Sequence, residues 1–280
     1  MLRRSTKLVT FLVLAGSAAA ASAQDAGNAK APAAEEKKHS LQPGDLLYQP
    51  SQGTFVIQTA VGQSGADVKL DDLKVETTQQ SISQGVYYGL TRDLHIGAEW
   101  SYAFGEGKVA VGPLVGKSKS NGLANPEISL NYSTWHKGFN LRAGASATVN
   151  AGSKTIKENH NTYAYYLAAG IQAGPTSLAL AAETGKTTEE GAKAGYAGSL
   201  WSQTKLSSHL AFDLTLAQET TFLFDEKLAI NLVQAGLTVN IDKNASLSGS
   251  YSQQTGKIDI NNVDLKADGS SYSLAYTRAL

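Results

Sequence analysis

The stretch LHIGAEWSYAF, residues 94–104, decides the fold class. Every second side chain in it is apolar, from Leu94 to Phe104, and the later ones are aromatic, whereas the residues between them are small or polar. A period of two places successive side chains on opposite faces of a strand, so this stretch predicts a β-strand with one apolar and one polar face. The same alternation recurs in three later stretches, 139–150, 209–221 and 270–280.

The length and composition of these runs favour a membrane over a soluble core. They extend over roughly 9–13 residues, as a tilted strand needs to cross a bilayer, and exceed the usual globular strand. Their polar faces carry Gly, Ala, Ser, Asn and Gln, which suit a lumen, whereas a soluble sandwich normally exposes Lys and Glu. The sequence therefore predicts an all-β protein, a transmembrane antiparallel up-and-down β-barrel, with a soluble secreted β-domain as the alternative.

About twelve strands are predicted, joined alternately by tight turns and longer loops. Tight links such as Gly174-Pro175 alternate with the longer stretches 106–125, 151–160 and 255–269, the asymmetry expected between periplasmic turns and outer loops. An even strand number then places both termini in the periplasm. The predicted strands are 53–63, 78–90, 94–105, 126–136, 139–150, 161–173, 176–185, 194–206, 209–221, 228–241, 245–254 and 270–280.

Two segments precede the barrel, which is predicted to occupy 53–280. Residues 1–23 have a basic start, an apolar middle and an Ala-Ser-Ala end, the pattern of a signal peptide. Residues 24–52 are predicted to be a flexible periplasmic extension, because 24–45 carry almost no large apolar side chain. Leu46, Leu47 and Tyr48 are the side chains that could tuck this extension into the mouth of the barrel.

Composition excludes several classes of function. With no cysteine, the chain has no disulfide, thiolate metal site or cysteine nucleophile. Lys plus Arg and Asp plus Glu are each 24, and removing Arg3, Arg4 and Lys7 with the leader leaves 21 bases against 24 acids. This balance gives no electrostatic reason to expect nucleic-acid binding. No cofactor and no metal are predicted.

Two short motifs resemble known outer-membrane proteins. The C-terminal alternation of Tyr272, Leu274 and Tyr276 resembles the closing strand that the barrel-assembly machinery recognises, although Leu280 replaces the usual aromatic residue. Residues 86–98 and the stretch GLANPEISL, 122–130, resemble the putative outer-membrane transporters of the phenol meta-degradation pathway. The resemblance implies a channel-type barrel in the outer membrane of a Gram-negative bacterium.

The interior is predicted to carry few charges, and the sequence leaves two alternatives for the lumen, an open path or a space filled by side chains. Four acids against one base would weakly favour cations, although the base can instead pair with Glu99 and help to fill the lumen. Inward glycines at 85, 89, 97, 144 and 170 favour open space, whereas inward Tyr87, Trp135, Tyr166 and Trp201 would narrow it. The predicted lumen charges are Glu99, Arg142, Glu183, Asp213 and Glu219.

A smooth stripe of small side chains is predicted on the lipid-facing side of the fifth strand. Lipid-facing positions usually carry larger apolar residues, so the stripe would allow a second barrel to approach closely and is a candidate homo-oligomer contact; compositional scatter is the alternative. Its members are Ala143, Ala145 and Ala147.

No catalytic constellation is recognisable, so the chain is not predicted to be an enzyme. His160, in an outer loop, is the strongest candidate for a hydrolase group, but no serine or acid partner can be named. The leading hypothesis is a passive, porin-like channel for small solutes. The second is a structural or lipid-interacting oligomeric barrel with a closed lumen, and a membrane-embedded hydrolase is the third. The predicted partners are outer-membrane lipids, the assembly machinery and a second copy of the chain.

Overall fold

The computed structural model describes residues 41–280 except 71–72, 137, 154–159, 190–191, 224–225 and 261–262. The predicted signal peptide 1–23 and residues 24–40 of the predicted extension lie outside this part of the chain. Within the described ranges no helix is both long and apolar enough to cross a membrane. The strands are β1 (Phe55–Leu70), β2 (Leu73–Gly89), β3 (Leu94–Val111), β4 (Leu114–Leu123), β5 (Glu127–His136), β6 (Phe139–Thr148), β7 (Thr162–Ala173), β8 (Thr176–Thr187), β9 (Gly195–Lys205), β10 (Leu210–Leu223), β11 (Glu226–Asp242), β12 (Ala245–Ile260) and β13 (Val263–Ala279).

The strands form one closed antiparallel sheet. Each strand pairs with its neighbours in sequence except at β4, which pairs with β3, while β5 pairs with β3 and β6. β1 pairs with both β2 and β13, so that Val56 lies opposite Tyr87 on one side and Ala279 on the other. Twelve strands close the barrel, and β4 is the additional one. Closure through β1–β13 and β3–β5 leaves the twelve-stranded part of the wall with no open edge, which is the condition for a sheet to lie in lipid. The predicted all-β barrel of about twelve strands is confirmed.

The two faces of the wall differ as the alternation predicts. Outward side chains are apolar and exposed, such as Leu167 on β7 and Leu180 on β8. Inward ones are small or polar, and those at the start of the ascending strands, such as His95 and Asn140, are buried. An apolar exterior is stable only against lipid, since no protein layer covers it.

One prediction about loops is wrong: residues 106–125 are mostly strand. β3 continues to Val111 and turns back into β4. β4 and β5 form one descending strand with an irregularity, because Tyr102 lies opposite Leu123 whereas Glu99 lies opposite Glu127. Four steps on one strand oppose three on the other, which is a β-bulge. Pro126 lies in this bulge, where its missing N–H costs no ladder hydrogen bond.

The wall is taller on one side than on the other. β1–β3 and β11–β13 each have 16 to 18 residues, whereas β5–β9 have 10 to 12. The predicted loops over 64–77 and 255–269 are therefore mostly strand as well. Their sequences are polar on the outward face, so they lack the apolar alternation that marks the lower strands. We call the end with the tight turns and both chain ends of the barrel the short-turn end, and the opposite end the long-loop end.

Candidate functional site

Residues 41–50, which we call the luminal segment, lie inside the barrel at the short-turn end. Six of its ten residues are buried, and the side chain of Leu47 is fully so. The segment contacts inward residues of strands all around the wall, namely Val56, Tyr87, Arg142, Gly170, Gln203, Lys205, Thr238 and Ser246. It therefore crosses the lumen from one side to the other. These residues are the C-terminal part of the extension predicted over 24–52.

A side-chain amide on β9 holds the backbone of the luminal segment. Gln203 accepts a hydrogen bond from the Leu46 N–H (2.8 Å) and donates one to the Gly44 carbonyl (2.8 Å). The same amide donates to Asp213 at 2.7 Å, and the other oxygen of Asp213 accepts from the Thr238 hydroxyl, also at 2.7 Å. The Leu46 N–H, the Gly44 carbonyl and both oxygens of Asp213 thus have partners, whereas Asp45 Oδ1 and Gln49 Nε2 are buried without one among the described residues.

Two basic side chains complete the attachment. Lys205 Nζ lies 2.8 Å from Asp45 Oδ2, with exposed fractions of 19% and 2% for the two side chains. Arg142 donates to the Leu46 carbonyl at 3.3 Å and also bonds to Asn140. A buried ion pair that loses one partner leaves an uncompensated charge, at a cost of about 3–5 kcal/mol. The attachment therefore depends strongly on Lys205.

The inward glycines accommodate the luminal segment and do not indicate open space. A Cβ on Gly170 would lie 2.8 Å from Leu47 Cδ2, and one on Gly89 would lie 2.1 Å from the Ser51 carbonyl oxygen. At Gly89 the contacting atoms are backbone, so only a residue without a side chain fits there, whereas at Gly170 the nearest atom is the tip of the Leu47 side chain. Tyr48 packs nearby against Val56 and Tyr87, and burial raises the pKa of its hydroxyl to about 12.

Two further inward glycines face aromatic rings. A Cβ on Gly97 would lie 2.5 Å from the ring of Tyr87, and one on Gly144 would lie 2.2 Å from the ring of Tyr166. Tyr87 donates to Glu99, and the Tyr166 hydroxyl donates to Asn131 at 2.9 Å. Gly97 and Gly144 therefore do not mark open space, because the inward rings of Tyr87 and Tyr166, which are predicted to narrow the lumen, lie against them.

Carboxylates line the lumen beyond the luminal segment. They lie between five and nine residues along their strands from the short-turn end, whereas Gln203 and Arg142 lie two and three residues from it. Glu99 and Glu127 are directly opposite each other on β3 and β5. Glu183 is close enough to interact electrostatically with both Glu127 and Glu219. We call this set the acidic arc: Glu99, Glu127, Glu183 and Glu219.

The five charges predicted for the lumen all lie on the inner face, but they divide between two places. Glu99, Glu183 and Glu219 belong to the acidic arc, whereas Arg142 and Asp213 belong to the attachment of the luminal segment. Among the inward side chains of the described strands, Lys205 and Arg142 are the permanent cations, and both contact that segment.

Sequence reasoning missed Glu127 and Lys205. Both residues lie within predicted strands, 126–136 and 194–206, but neither is predicted to lie on the inner face. Glu127 is the first residue of β5 and Lys205 the last of β9. Following the alternation of each strand to its last residue places both on the inner face.

The predicted stripe of small residues lies on the outward face of β6, between two ridges. Ala145 is opposite Leu130 on one neighbouring strand and Tyr165 on the other, and Ala143 is likewise opposite Tyr132 and Leu167. These flanking side chains are among the exposed large apolar ones. The stripe is therefore a shallow groove and not a flat surface.

His160 contacts the neighbouring outer loop. Its Nε2 lies 3.8 Å from Glu189 Oε1, and the Asn161 backbone N–H donates to the Thr188 hydroxyl at 3.1 Å. These contacts join the loop after β6 to the loop after β8. The described residues contain no group of three or more His, Cys, Asp or Glu side chains arranged to hold a metal.

Comparison with known proteins supports the fold. No protein-family model and no curated protein sequence matches the chain, so the family inferred from the two short motifs is not confirmed. The COG4313 outer membrane channel from Pseudomonas putida F1 superposes with a TM-score of 0.61 at 13% identity, over 86% of this chain and 100% of that one. The KdgM porin gives 0.47 at 13% identity, over 78% of this chain and 98% of that one. The P. putida toluene transporter TodX gives 0.46 at 10% identity, over 82% and 90% respectively.

Proposed function

We propose that this protein is a passive outer-membrane channel for small solutes, closed at its periplasmic end by residues 41–50. The observation that carries the proposal is a lumen with two different parts. One end is filled by residues 41–50, held through hydrogen bonds and an ion pair, and farther along the lumen the wall carries the carboxylates of the acidic arc. A structural plug needs no charged lumen beyond it, whereas charged side chains along a pore are one means by which channels select ions. The channel named in the P. putida structure is a barrel of the same fold.

The segment is attached in a way that permits movement. Its hydrogen bonds with the wall go to side chains and not to a sheet ladder, and one bridge, between Gln52 and Gly89, joins the chain just after it to β2. A segment without ladder pairing can leave without unfolding any strand. Short turns are usual on the periplasmic side of outer-membrane barrels, which supports a periplasmic position for this end; release of the segment would then connect the acidic arc with the periplasm.

The test of the proposal is single-channel recording of the refolded protein in planar bilayers. We expect discrete stepwise openings with a preference for cations, since the acidic arc lines the path. Folded protein is recognised by its faster migration in unheated electrophoresis samples. Silence from folded wild-type protein and from the variant Gln203→Ala/Lys205→Ala would contradict the proposal.

A closed barrel with a structural or lipid-interacting role is the second candidate. The observation that favours it is the complete burial of Leu47 and Asn140 at the short-turn end, which leaves that end well packed. Continued silence in the recording would favour this role. Outer-membrane lipids and the assembly machinery, through the C-terminal strand, are partners on either proposal.

A homo-oligomer is proposed through the groove of Ala143, Ala145 and Ala147. Replacing Ala145 with Trp is expected to abolish the oligomer, because the indole would fill the groove between Leu130 and Tyr165. Size on native electrophoresis is the measurement, and Leu180→Trp, on the outward face of β8, is the control. Unchanged size of the Ala145 variant, with the wild type larger than a monomer, would contradict the contact.

A further inference from the structure

Four lysines lie directly opposite one another on the outward face of the tall wall. Lys257 on β12 is opposite Lys266 on β13, which is opposite Lys69 on β1, which in turn is opposite Lys74 on β2. We call this set the lysine row. Neighbouring strands are about 4.8 Å apart, so the row places four ammonium groups within about 15 Å. Like charges in directly opposed positions destabilise a sheet.

The alternation of burial shows that the row faces outward. Val68, Val75 and Ala267, each one residue away from a lysine of the row, are buried on the inner side of the wall. Along the same outward face toward the short-turn end lie exposed apolar side chains, including Val61 on β1 and Tyr272 on β13. The lysine row therefore continues the lipid-facing surface beyond its apolar part, on the side of the long-loop end.

Among the described residues, neighbouring acids form an ion pair with one of the four lysines of the row. Asp268, Asp67 and Glu76 form a second row, two residues nearer the apolar surface, again with like charges opposite one another. Lys74 is paired with Glu76, but Lys69, Lys257 and Lys266 have no ion pair among the described residues. The same residues distributed with alternating signs would form cross-strand ion pairs. Because the acids and the lysines lie in separate rows along the strands, the lysines of the outer row are available to a partner.

We propose that the lysine row binds the phosphate groups of the glycolipid in the outer leaflet of the outer membrane. A compact cluster of ammonium groups suits phosphate, since lysine acts as a strongly hydrated point charge with three donors. The position favours a lipid over a transported solute, because the row lies outside the barrel and continues the lipid-facing surface. The proposal rests on the outer-membrane location proposed above but not on channel activity.

The test measures the affinity of the full-length mature protein for diphosphoryl lipid A in detergent micelles. Native mass spectrometry detects the complex. Lys69→Gln/Lys266→Gln is expected to weaken binding about thirtyfold, since each lysine near an anionic lipid surface contributes about a factor of five. Lys186→Gln/Lys243→Gln removes the same charge from another strand and from a turn at the short-turn end, and is expected to bind as the wild type does.

A second measurement distinguishes the row from general surface charge. Without lipid A, Lys69→Gln/Lys266→Gln should raise the urea midpoint of unfolding, because it removes opposed like charges. With lipid A present this advantage should disappear, because the wild type gains more from binding. Single-channel conductance should not change in this variant, so failure of the channel proposal would be recognised separately.

Three results would overturn the inference. Equal loss of lipid A binding in both double variants would assign the effect to net charge. Wild-type binding of dephosphorylated lipid A as tight as that of the diphosphoryl form would exclude the phosphates. Tighter binding of inorganic polyphosphate than of lipid A would assign the row to a soluble polyanion.

Discussion

Replacing Gln203 and Lys205 together by alanine is expected to raise the open probability of the barrel at least a hundredfold. Lys205 is the ion-pair partner of the buried Asp45, and Gln203 holds the backbone of the luminal segment at two points. Loss of one partner of a buried pair costs about 3–5 kcal/mol, and each lost hydrogen bond adds about 1 kcal/mol. A shift of about 3 kcal/mol already changes a two-state ratio more than a hundredfold. The measurement is single-channel recording at fixed voltage.

The matched control replaces the same residue types away from the segment. Gln218 lies on the outward face of β10, where it bonds to Asn231, and Lys243 lies in a turn. Gln218→Ala/Lys243→Ala is expected to have the open probability of the wild type. If both double variants open equally, or neither differs from the wild type, the luminal segment is not what closes the barrel.

Neutralising the acidic arc is expected to abolish cation preference. A path lined by one sign of charge concentrates the opposite ion about tenfold or more. Among the described inward side chains, the permanent cations are Arg142 and Lys205, which are bound to the luminal segment. Glu127→Gln/Glu183→Gln/Glu219→Gln keeps side-chain size and removes three charges. The permeability ratio of potassium to chloride, taken from the reversal potential in a salt gradient, should fall to near one.

The control for this prediction removes three carboxylates from the outside of the barrel. Asp67, Glu106 and Asp268 are exposed on the outward face of the tall wall, and changing them to their amides leaves the lumen unaltered. Their loss should leave the permeability ratio unchanged. A ratio that falls equally in both triple variants would mean that surface potential, and not the acidic arc, sets the selectivity.

The strands in the membrane were predictable because lipid imposes a strict pattern on them. Residues 94–104 alternate without exception, and the same register correctly places Glu99, Arg142 and Glu183 on the inner face. Beyond its apolar belt the outer side of the wall is polar, so Lys69 and Lys74 replace the apolar residues and the alternation is lost. The ends of β1–β3 on the long-loop side, residues 64–70, 73–77 and 106–111, are therefore predicted as loops.

The luminal segment was only partly predictable. Leu46, Leu47 and Tyr48 provide apolar side chains that can tuck into a mouth, but they do not specify which wall residues receive them. The wall residues that receive the segment include Gly89 and Gly170. Their role as contact positions can be recognised only once the strands are assembled into the barrel. The contacts of Asp45 with Lys205 span 160 residues, and no local pattern predicts an ion pair at that separation.

The most direct test of the central claim, that movement of the luminal segment opens the barrel, is a reversible tether. Because the chain has no cysteine, Leu47→Cys/Gly170→Cys adds one pair, at a place where the Leu47 side chain touches the wall. Single-channel recording of the oxidised protein, followed by addition of a reductant, is predicted to show rare openings that become frequent on reduction. Equal open probability before and after reduction, with formation and cleavage of the disulfide verified by mass spectrometry, would contradict it.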